Sequence, residues 1–308
     1  MTAIITTGNY PKALWPGVNT FWGMSYKLWN DGAQWREIFE VSPSEKNYEE
    51  DVSTVGMGLA KVKAEGDATE YDTMKQGYLS RYTHVTYATG FIVTQEELED
   101  NLYAKLAAGR TISMAQAVKR TEEIVAANIL NRAFNPSYTY GDGVSLINAN
   151  HPLDTGATFS NTLPYSADLS EAALEQAIID INGFTDPRGN IIALQPRKLI
   201  IPRQLRFQAP RLLENPNRPE TANRDINIIN KHDLFPEGYA VNNYLQLPTA
   251  WFILTDALDG FKRFDRVATK ITQDNDFDTD NFKCKCRLRF SVGVTDSGRA
   301  VYAAQGAI

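Results

Sequence analysis

The sequence predicts an α+β fold arranged around one long helix. Three observations predict it. Residues Thr94 to Phe134 repeat apolar side chains at a spacing near 3.6. The stretches before them are rich in aromatic and strand-forming residues, yet too broken or too polar to bury a core alone. The stretch after them reads helix, strand, helix and three short strands, the order of a compact α+β unit.

Residues 1–45 form an arm. Four of the five tryptophans lie here, Trp15, Trp22, Trp29 and Trp35, joined by Phe21, Tyr26 and Phe39. Pro11, Pro16, Gly17, Gly23 and Gly32 allow only short helical pieces. Aromatics of this size do not stay in water, so they pack on the rest of the chain or on another copy.

Residues 46–93 read as a long β-ribbon. Val52 to Ala64 is the outgoing strand, Glu65-Gly66-Asp67 the turn, and the chain returns from Glu70 to Val93. Val85, Tyr87, Phe91 and Val93 alternate with His84, Thr86, Ala88 and Ile92, the period of a strand with one buried face. A two-stranded ribbon with so little apolar surface is marginal alone in water and needs a neighbour to lie on.

The helix follows. Thr94 and Glu97 make a capping box. Leu98, Leu102, Leu106, Met114, Val118, Thr121, Val125 and Ile129 form one stripe, and Asn135-Pro136 ends it. Unbroken, it would span roughly 60 Å at about 1.5 Å per residue. Gly109 costs about 1 kcal/mol relative to Ala, so the half after it is expected to be straight and the half before it free to bend.

Residues 140–143 turn, and residues 144–164 are an irregular loop. Ser170 to Phe184 is a helix buried through Leu174, Ala177, Ile178 and Ile181. Lys198 to Ile201 is a buried strand, Pro202 starts a third helix that Pro210 bends, and residues 215–224 are an exposed loop. Strands are expected at Ile226–Ile229, Tyr239–Val241, Trp251–Thr255, Gly260–Ile271, Lys283–Val294 and Ala300–Gln305.

Composition narrows the function. The chain has 308 residues, with 31 Lys+Arg against 37 Asp+Glu. A net charge of −6 argues against tight sequence-independent nucleic-acid binding, which runs on cations neutralising phosphates. No apolar run approaches the ~18 residues of a membrane span, and the N-terminus lacks the pattern of a signal peptide. Cys284 and Cys286, two apart on a strand, point the same way, which is poor geometry for a mutual disulfide. They read as reduced packing residues of a protein made in a cytosol.

No chemical site emerges. Asp274, Asp276, Asp278 and Asp280 resemble a calcium loop, but Thr279 and Lys285 stand where it needs Gly and Glu. His84, His151 and His232 are scattered, and Asp142, Ser145 and His151 lack a nucleophile elbow. Gly56 and Gly58 are followed by Lys61 where a dinucleotide fingerprint needs a third Gly. The doublets Glu96/Glu97 and Glu122/Glu123 read as solvated helix faces. Lys283, Lys285, Arg287 and Arg289 place four cations on one strand face, a charged outer face or a subunit contact. No catalytic, cofactor-binding or metal-ligating residue is expected, and the chain reads as no enzyme.

The order of arm, ribbon, long helix, α+β unit and return resembles the tailed-phage major capsid proteins of the Hong Kong 97 type. RYTHVTYATGFIVTQEELED running into KRTEEIVAANILNRAF, then DGVSLINANHPL, FSNTL and LSEAALEQAIIDI, and the ending QDNDFDTDNFKCKCRLRFSVGVTDSGRAVY, are similar to the Mu-like major head subunits. The resemblance covers nearly the whole chain. It implies an N-terminal arm at 1–45, an extended loop at 46–93, a peripheral domain with a spine helix at 94–140 and 262–308, and an axial domain at 141–261. It implies self-assembly into pentamers and hexamers of an icosahedral shell around double-stranded DNA, with the virion as location and the host bacterial cytoplasm as place of synthesis. An encapsulin-like compartment shell shares the fold and is the alternative; an enzyme built around His151 is a third reading.

The partners implied are other copies of the chain, portal, scaffolding and cement proteins, and weak non-specific contact with packaged DNA, with no membrane. Starting almost at the arm, the chain implies a separate scaffold or a removed propeptide. The subunit contacts expected are Trp15, Trp22, Trp29 and Trp35 in the arm, Lys61, Lys63, Tyr71 and Tyr78 in the ribbon, and Asn217, Arg218 and Glu220 in the loop at capsomer centres. Deleting residues 1–45 is expected to leave a folded, assembly-deficient chain. Lys61, Lys63 and Lys75 lie near where one family type forms Lys–Asn cross-links; none is expected here.

Overall fold

The computed structural model describes Trp22, residues 32–94, Glu96, and residues 103–217, 225–276 and 281–306. A 3-10 turn at Gln34–Glu37 leads into β1 (Glu40–Pro43), β2 (Tyr48–Val55), β3 (Lys75–Thr83) and β4 (Val85–Val93). Helix α1 (Tyr103–Asn131) follows, then the short strands β5 (His151–Pro152) and β6 (Thr158–Phe159). The rest is α2 (Glu171–Asn182), β7 (Pro196–Pro202), α3 (Ala209–Leu213), α4 (Ile228–Lys231), β8 (Tyr239–Asn242), β9 (Ala250–Thr255), β10 (Phe261–Asn275), β11 (Phe282–Val294) and β12 (Val301–Gln305).

Two four-stranded sheets carry the fold. The central sheet runs β12-β9-β7-β8, with β7 and β8 parallel and the other pairs antiparallel. The inner stretches of three of its strands, Leu199–Ile201, Ala250–Leu254 and Val301–Ala304, are apolar at every position because both faces are covered. Leu199, Ile201, Trp251, Ile253, Tyr302 and Ala304 meet α2 through Leu174, Ala177, Ile178 and Ile181. Ile200, Phe252, Leu254, Val301 and Ala303 face a second cluster, which holds Ala126 and Leu130 at the end of α1 and Ala133 just after it, together with Trp35, Ile38 and Phe39 of the arm. Ser170 caps α2 by accepting from the Ala173 amide at 3.3 Å, as its sequence pattern requires.

The outer sheet runs β1-β10-β11-β4, with β1 parallel to β10 and the rest antiparallel. Along β11, Phe282, Cys284, Cys286, Leu288 and Phe290 are buried, while Lys283, Lys285 and Arg287 alternate with them into solvent. The buried face lies on Met114, Ala115 and Val118 of α1. Burial pushes the Cys284 thiol up to about 11 and the Cys286 thiol to about 12. The stability these thiols lend is present below the ordinary value and lost as pH rises from there towards 11–12. At pH 8 the folded chain should therefore resist iodoacetamide and react only after unfolding, which mass spectrometry of labelled peptides checks.

Several expectations are corrected. Of the bend or break that Gly109 allows, there is no break: α1 runs through it as one helix. Its expected cap at Thr94 and Glu97 and its first turns fall at the edge of, or outside, the described residues. The ribbon is shorter than expected: β2 ends at Val55 and residues 56–74 form no strand. Val85–Val93 does not belong to it, because those residues pair with β11 as an edge of the outer sheet. The segment from Glu40 to Pro43, expected in the arm, is the opposite edge. The last strand, expected in the peripheral domain, pairs with β9 in the central sheet. The third helix is split, with a 3-10 turn at Arg203–Leu205 and Pro210 starting α3. Ile226–Ile229 is no strand, because the Asn227 side chain accepts from the Ile229 and Asn230 amides and caps α4.

Candidate functional site

The arm enters the chain's own core. Trp35 is 2% exposed. The 3-10 turn that carries it has no side-chain cap of its own. The Glu123 carboxylate of α1 supplies one, accepting from the Gln34 amide at 2.7 Å and the Trp35 amide at 3.1 Å. Burial raises the Glu123 carboxyl above its usual range, and these two amides pull it back. Beside it, Arg263 of β10 lies over the Trp35 ring at 3.9 Å and the Phe290 ring at 4.4 Å. Its guanidinium pairs with Glu122 at 3.0 Å and Asp265 at 2.8 Å, and Lys119 lies 3.4 Å from Glu122. Lys119, Glu122 and Arg263 are all buried. The glutamate doublet expected on a solvated face is therefore an internal anchor. The signal was present in the sequence: Glu122 stands four residues after Val118 and four before Ala126, on the buried stripe.

The ribbon is anchored at its root and exposed towards its tip. Lys262 reaches Asp51 at 2.8 Å, the Tyr82 hydroxyl meets Thr295 at 2.6 Å, and Ser80 donates to the Thr295 carbonyl at 3.2 Å. Where β3 passes into β4, buried His84 bridges Ser44 at 2.9 Å and Ser291 at 3.0 Å. Burial, with Arg289 nearby, lowers the His84 pKa. Beyond the root, Met57, Leu59, Val62, Tyr71 and Met74 are exposed, Leu59 by 79% and Tyr71 by 94%. The side chains of Arg188 and Asp72 meet at 2.7 Å, joining the end of the ribbon to the Thr185–Asn190 turn. The amides of Gly58 and Thr73, then Arg188, hold the Asp72 carboxyl down at about 2.

The open face of the outer sheet is basic. Lys270 of β10 stands directly opposite Arg287 of β11, with Lys285 next along the strand. Like charges directly across a strand pair are destabilising. Among the described residues none of these three has an ion-pair partner, while Lys283 pairs with Asp276 and Arg289 donates a hydrogen bond to the Asn47 side-chain oxygen.

The residues expected at subunit contacts are not gathered in one place. Trp22 and Trp35 are buried within the chain, Trp22 in one core cluster with Val93 and Met114. Trp15, Trp29, Arg218 and Glu220 lie outside the described residues. Lys61, Lys63 and Tyr71 are exposed in the ribbon, Lys61 paired with Glu70. Tyr78 donates to the Pro152 carbonyl at 3.2 Å, and Asn217 is exposed and bridges to Ile226. His151 and Asp142 do meet, at 2.6 Å and buried, with the His151 ring against Phe159. The Ser145 hydroxyl donates elsewhere, to the Ile147 carbonyl at 2.9 Å, so no nucleophilic triad is assembled. Among the described residues no group of three or more His, Cys, Asp or Glu is placed to hold a metal ion, and no helix is long and apolar enough to cross a membrane.

Arm, ribbon and two tied sheets define a structural subunit, the Hong Kong 97-type capsid fold. The chain belongs to the phage capsid protein family, whose model matches residues 78–304. No curated protein sequence matches it. Among solved structures it is similar to the virus-like particle of Pyrococcus furiosus, with a TM-score of 0.53 and 11% identity over 94% of this chain and 98% of that one. The capsid of a native GTA particle gives 0.53 and 15% identity over 90% of each. Microbacterium phage Oxtober96 gives 0.54 and 9% identity over 89% and 91%. At these identities the likeness speaks for the fold, and the family match speaks for a shell-forming capsid protein.

Proposed function

We propose that the chain is the major head subunit of a tailed phage, kin to the Mu-like heads, and that its copies form the pentamers and hexamers of a shell around double-stranded DNA. The exposed apolar row along the ribbon carries the reading: Met57, Leu59, Val62, Tyr71 and Met74 have no core to enter at home. Several such side chains on one thin element are stable in water only against another surface, and other copies supply it in every subunit alike. Residues 215–224 are the proposed contact at capsomer centres. The basic strand face offers cations to an acidic neighbour or, weakly, to packaged DNA. Portal, scaffolding and cement proteins are the proposed further partners, the virion the location, and the host cytoplasm the place of synthesis. The work is mechanical and involves no catalysis.

The family match favours the viral shell over a cellular compartment. Expression of the chain with its scaffold should give closed shells or capsomers in negative stain, and boiled particles should run as a single band near 34.4 kDa. A monodisperse monomer under all assembly conditions overturns the reading. Shells isolated with an enzyme inside and no DNA favour the compartment.

A further inference from the structure

We propose that Arg188 is a latch that parks the ribbon on its own subunit, and that this latch opens before the ribbon engages a second copy. The inference rests on the self-association proposed above and adds a brake to it.

The tip of the ribbon, residues 56–74, forms no strand, yet it is gathered at one point. The Asp72 carboxylate accepts from the Gly58 amide across the tip at 2.7 Å and from the Thr73 amide at 2.8 Å. Arg188 closes on this point with both arms of its fork. Nη1 donates to Asp72 Oδ2 at 2.7 Å, and Nη2 donates to the Thr73 carbonyl at 2.6 Å. Arg188 is itself held ready by a tight turn. The Asp186 carboxylate accepts from the Arg188 and Asn190 amides, both at 2.8 Å, and Gly189 takes the left-handed φ of 87° that closes the turn. Among the described residues the guanidinium has no hydrogen-bond partner outside the ribbon. Two further polar ties lie nearer the root: Lys75 to Asp154 at 3.6 Å, and Tyr78 to the Pro152 carbonyl.

These ties are not backed by packing. A cavity of about 350 Å³ separates the ribbon from the central unit, lined on one side by Gln76 and Tyr78 and on the other by Asp142, Asp154 and Arg299. The parked ribbon thus satisfies its polar groups and leaves Leu59, Val62 and Tyr71 in water. Solvent-exposed ion pairs hold weakly and are screened by salt. A surface that buries the apolar side chains outcompetes them. While the latch is closed, only the open fraction of ribbons is competent to bind, and the apparent affinity between subunits falls by that fraction.

The test compares the full-length unassembled chain with Arg188→Gln. Hydrogen exchange of peptides covering residues 56–74 should be about two- to five-fold faster in the variant at low salt, the factor a surface ion pair supplies. Raising salt from about 0.05 M to about 1 M, where the Debye length is ~3 Å, should speed exchange in the wild type and change the variant little. Light scattering should show assembly of the variant starting earlier at equal concentration. Equal exchange in the two chains overturns the latch. Slower exchange in the wild type, with assembly of the variant unchanged or later, makes Arg188 a strut and overturns the brake. If neither chain forms particles, the shell reading fails and the brake with it, while the exchange comparison still decides whether Arg188 holds the ribbon.

Discussion

A chain lacking residues 1–45 is expected to come out unfolded, not folded and merely unable to assemble. The cut removes Trp35, Ile38 and Phe39, which lie in one cluster with Leu130, Phe252 and Phe261. Truncating a buried Trp or Phe costs about 3–5 kcal/mol, and an Ile about 2–5. Together they match a whole domain's stability of roughly 5–15 kcal/mol. The cut also strips β1 from the edge of β10 and leaves the Glu123 carboxylate buried without its two amide donors. Removing residues 1–31 instead takes only Trp22 from the described core, and that chain should still melt cooperatively. Near-UV circular dichroism and thermal melts of both truncations make the comparison. A cooperative melt from the chain lacking 1–45 would refute this account of the arm.

Arg263→Ala should destabilise the subunit by about 3–5 kcal/mol, because it leaves Glu122 buried with only Lys119 for company. The lost stacking on Trp35 and Phe290 adds to this. Arg263→Lys should recover little, since an ammonium neither forks between Glu122 and Asp265 nor stacks as a plane. Replacing Lys119, Glu122 and Arg263 together by Met, Leu and Met should recover most of the loss, because no buried charge is then orphaned. Urea unfolding of unassembled subunits reads the order of the three. A single Arg263→Ala change within about 0.5 kcal/mol of wild type would remove the network from the list of what holds the arm.

Periodicity made much of this legible. The buried face of α2, the alternation along β11 and the apolar runs of β7 and β9 are local signals, and each appears where the sequence places it. The stripe of α1 does so at Met114 and Val118, but then runs through Glu122, Ala126 and Leu130 while Thr121, Val125 and Ile129 are half-buried. Pairing is a different matter. The alternation from Val85 to Val93 says strand, but nothing in it says that the partner is β11, some two hundred residues later, rather than the ribbon. The same holds for Val301–Gln305, which sits beside β9. Ile226–Ile229 shows a local conflict: β-branched residues favour a strand, and one Asn with a free side-chain oxygen turns the chain into a helical cap. The exposure of the ribbon was legible, because a two-stranded element has no second layer to cover its side chains. The inward turn of Trp35 was not, because an aromatic reads the same whether it meets a neighbour or its own core, whereas that of Glu122 was legible from its place between Val118 and Ala126. Arg188 carries no pattern at all; its role exists only in the turn that aims it.

After first passing from the outer sheet to the central one through α1, the chain crosses outward from β9 to β10 and back from β11 to β12, and these last two crossings run side by side. The Thr255 amide donates to the Ala300 carbonyl at 3.2 Å, the Thr295 amide to Gly260 at 3.3 Å, and the Asp296 amide to Asp259 at 2.8 Å. Because β12 then lies against β9, a pull on the outer sheet loads a row of hydrogen bonds in shear and not a single linker. α1 contributes Ala126 and Leu130 to one core cluster and Met114, Ala115 and Val118 to the other, so it ties the two sheets together beside this seam. Curvature of a wall built from such pieces is set at the contacts between them, as in masonry, where the bricks stay rigid and the mortar line takes the angle.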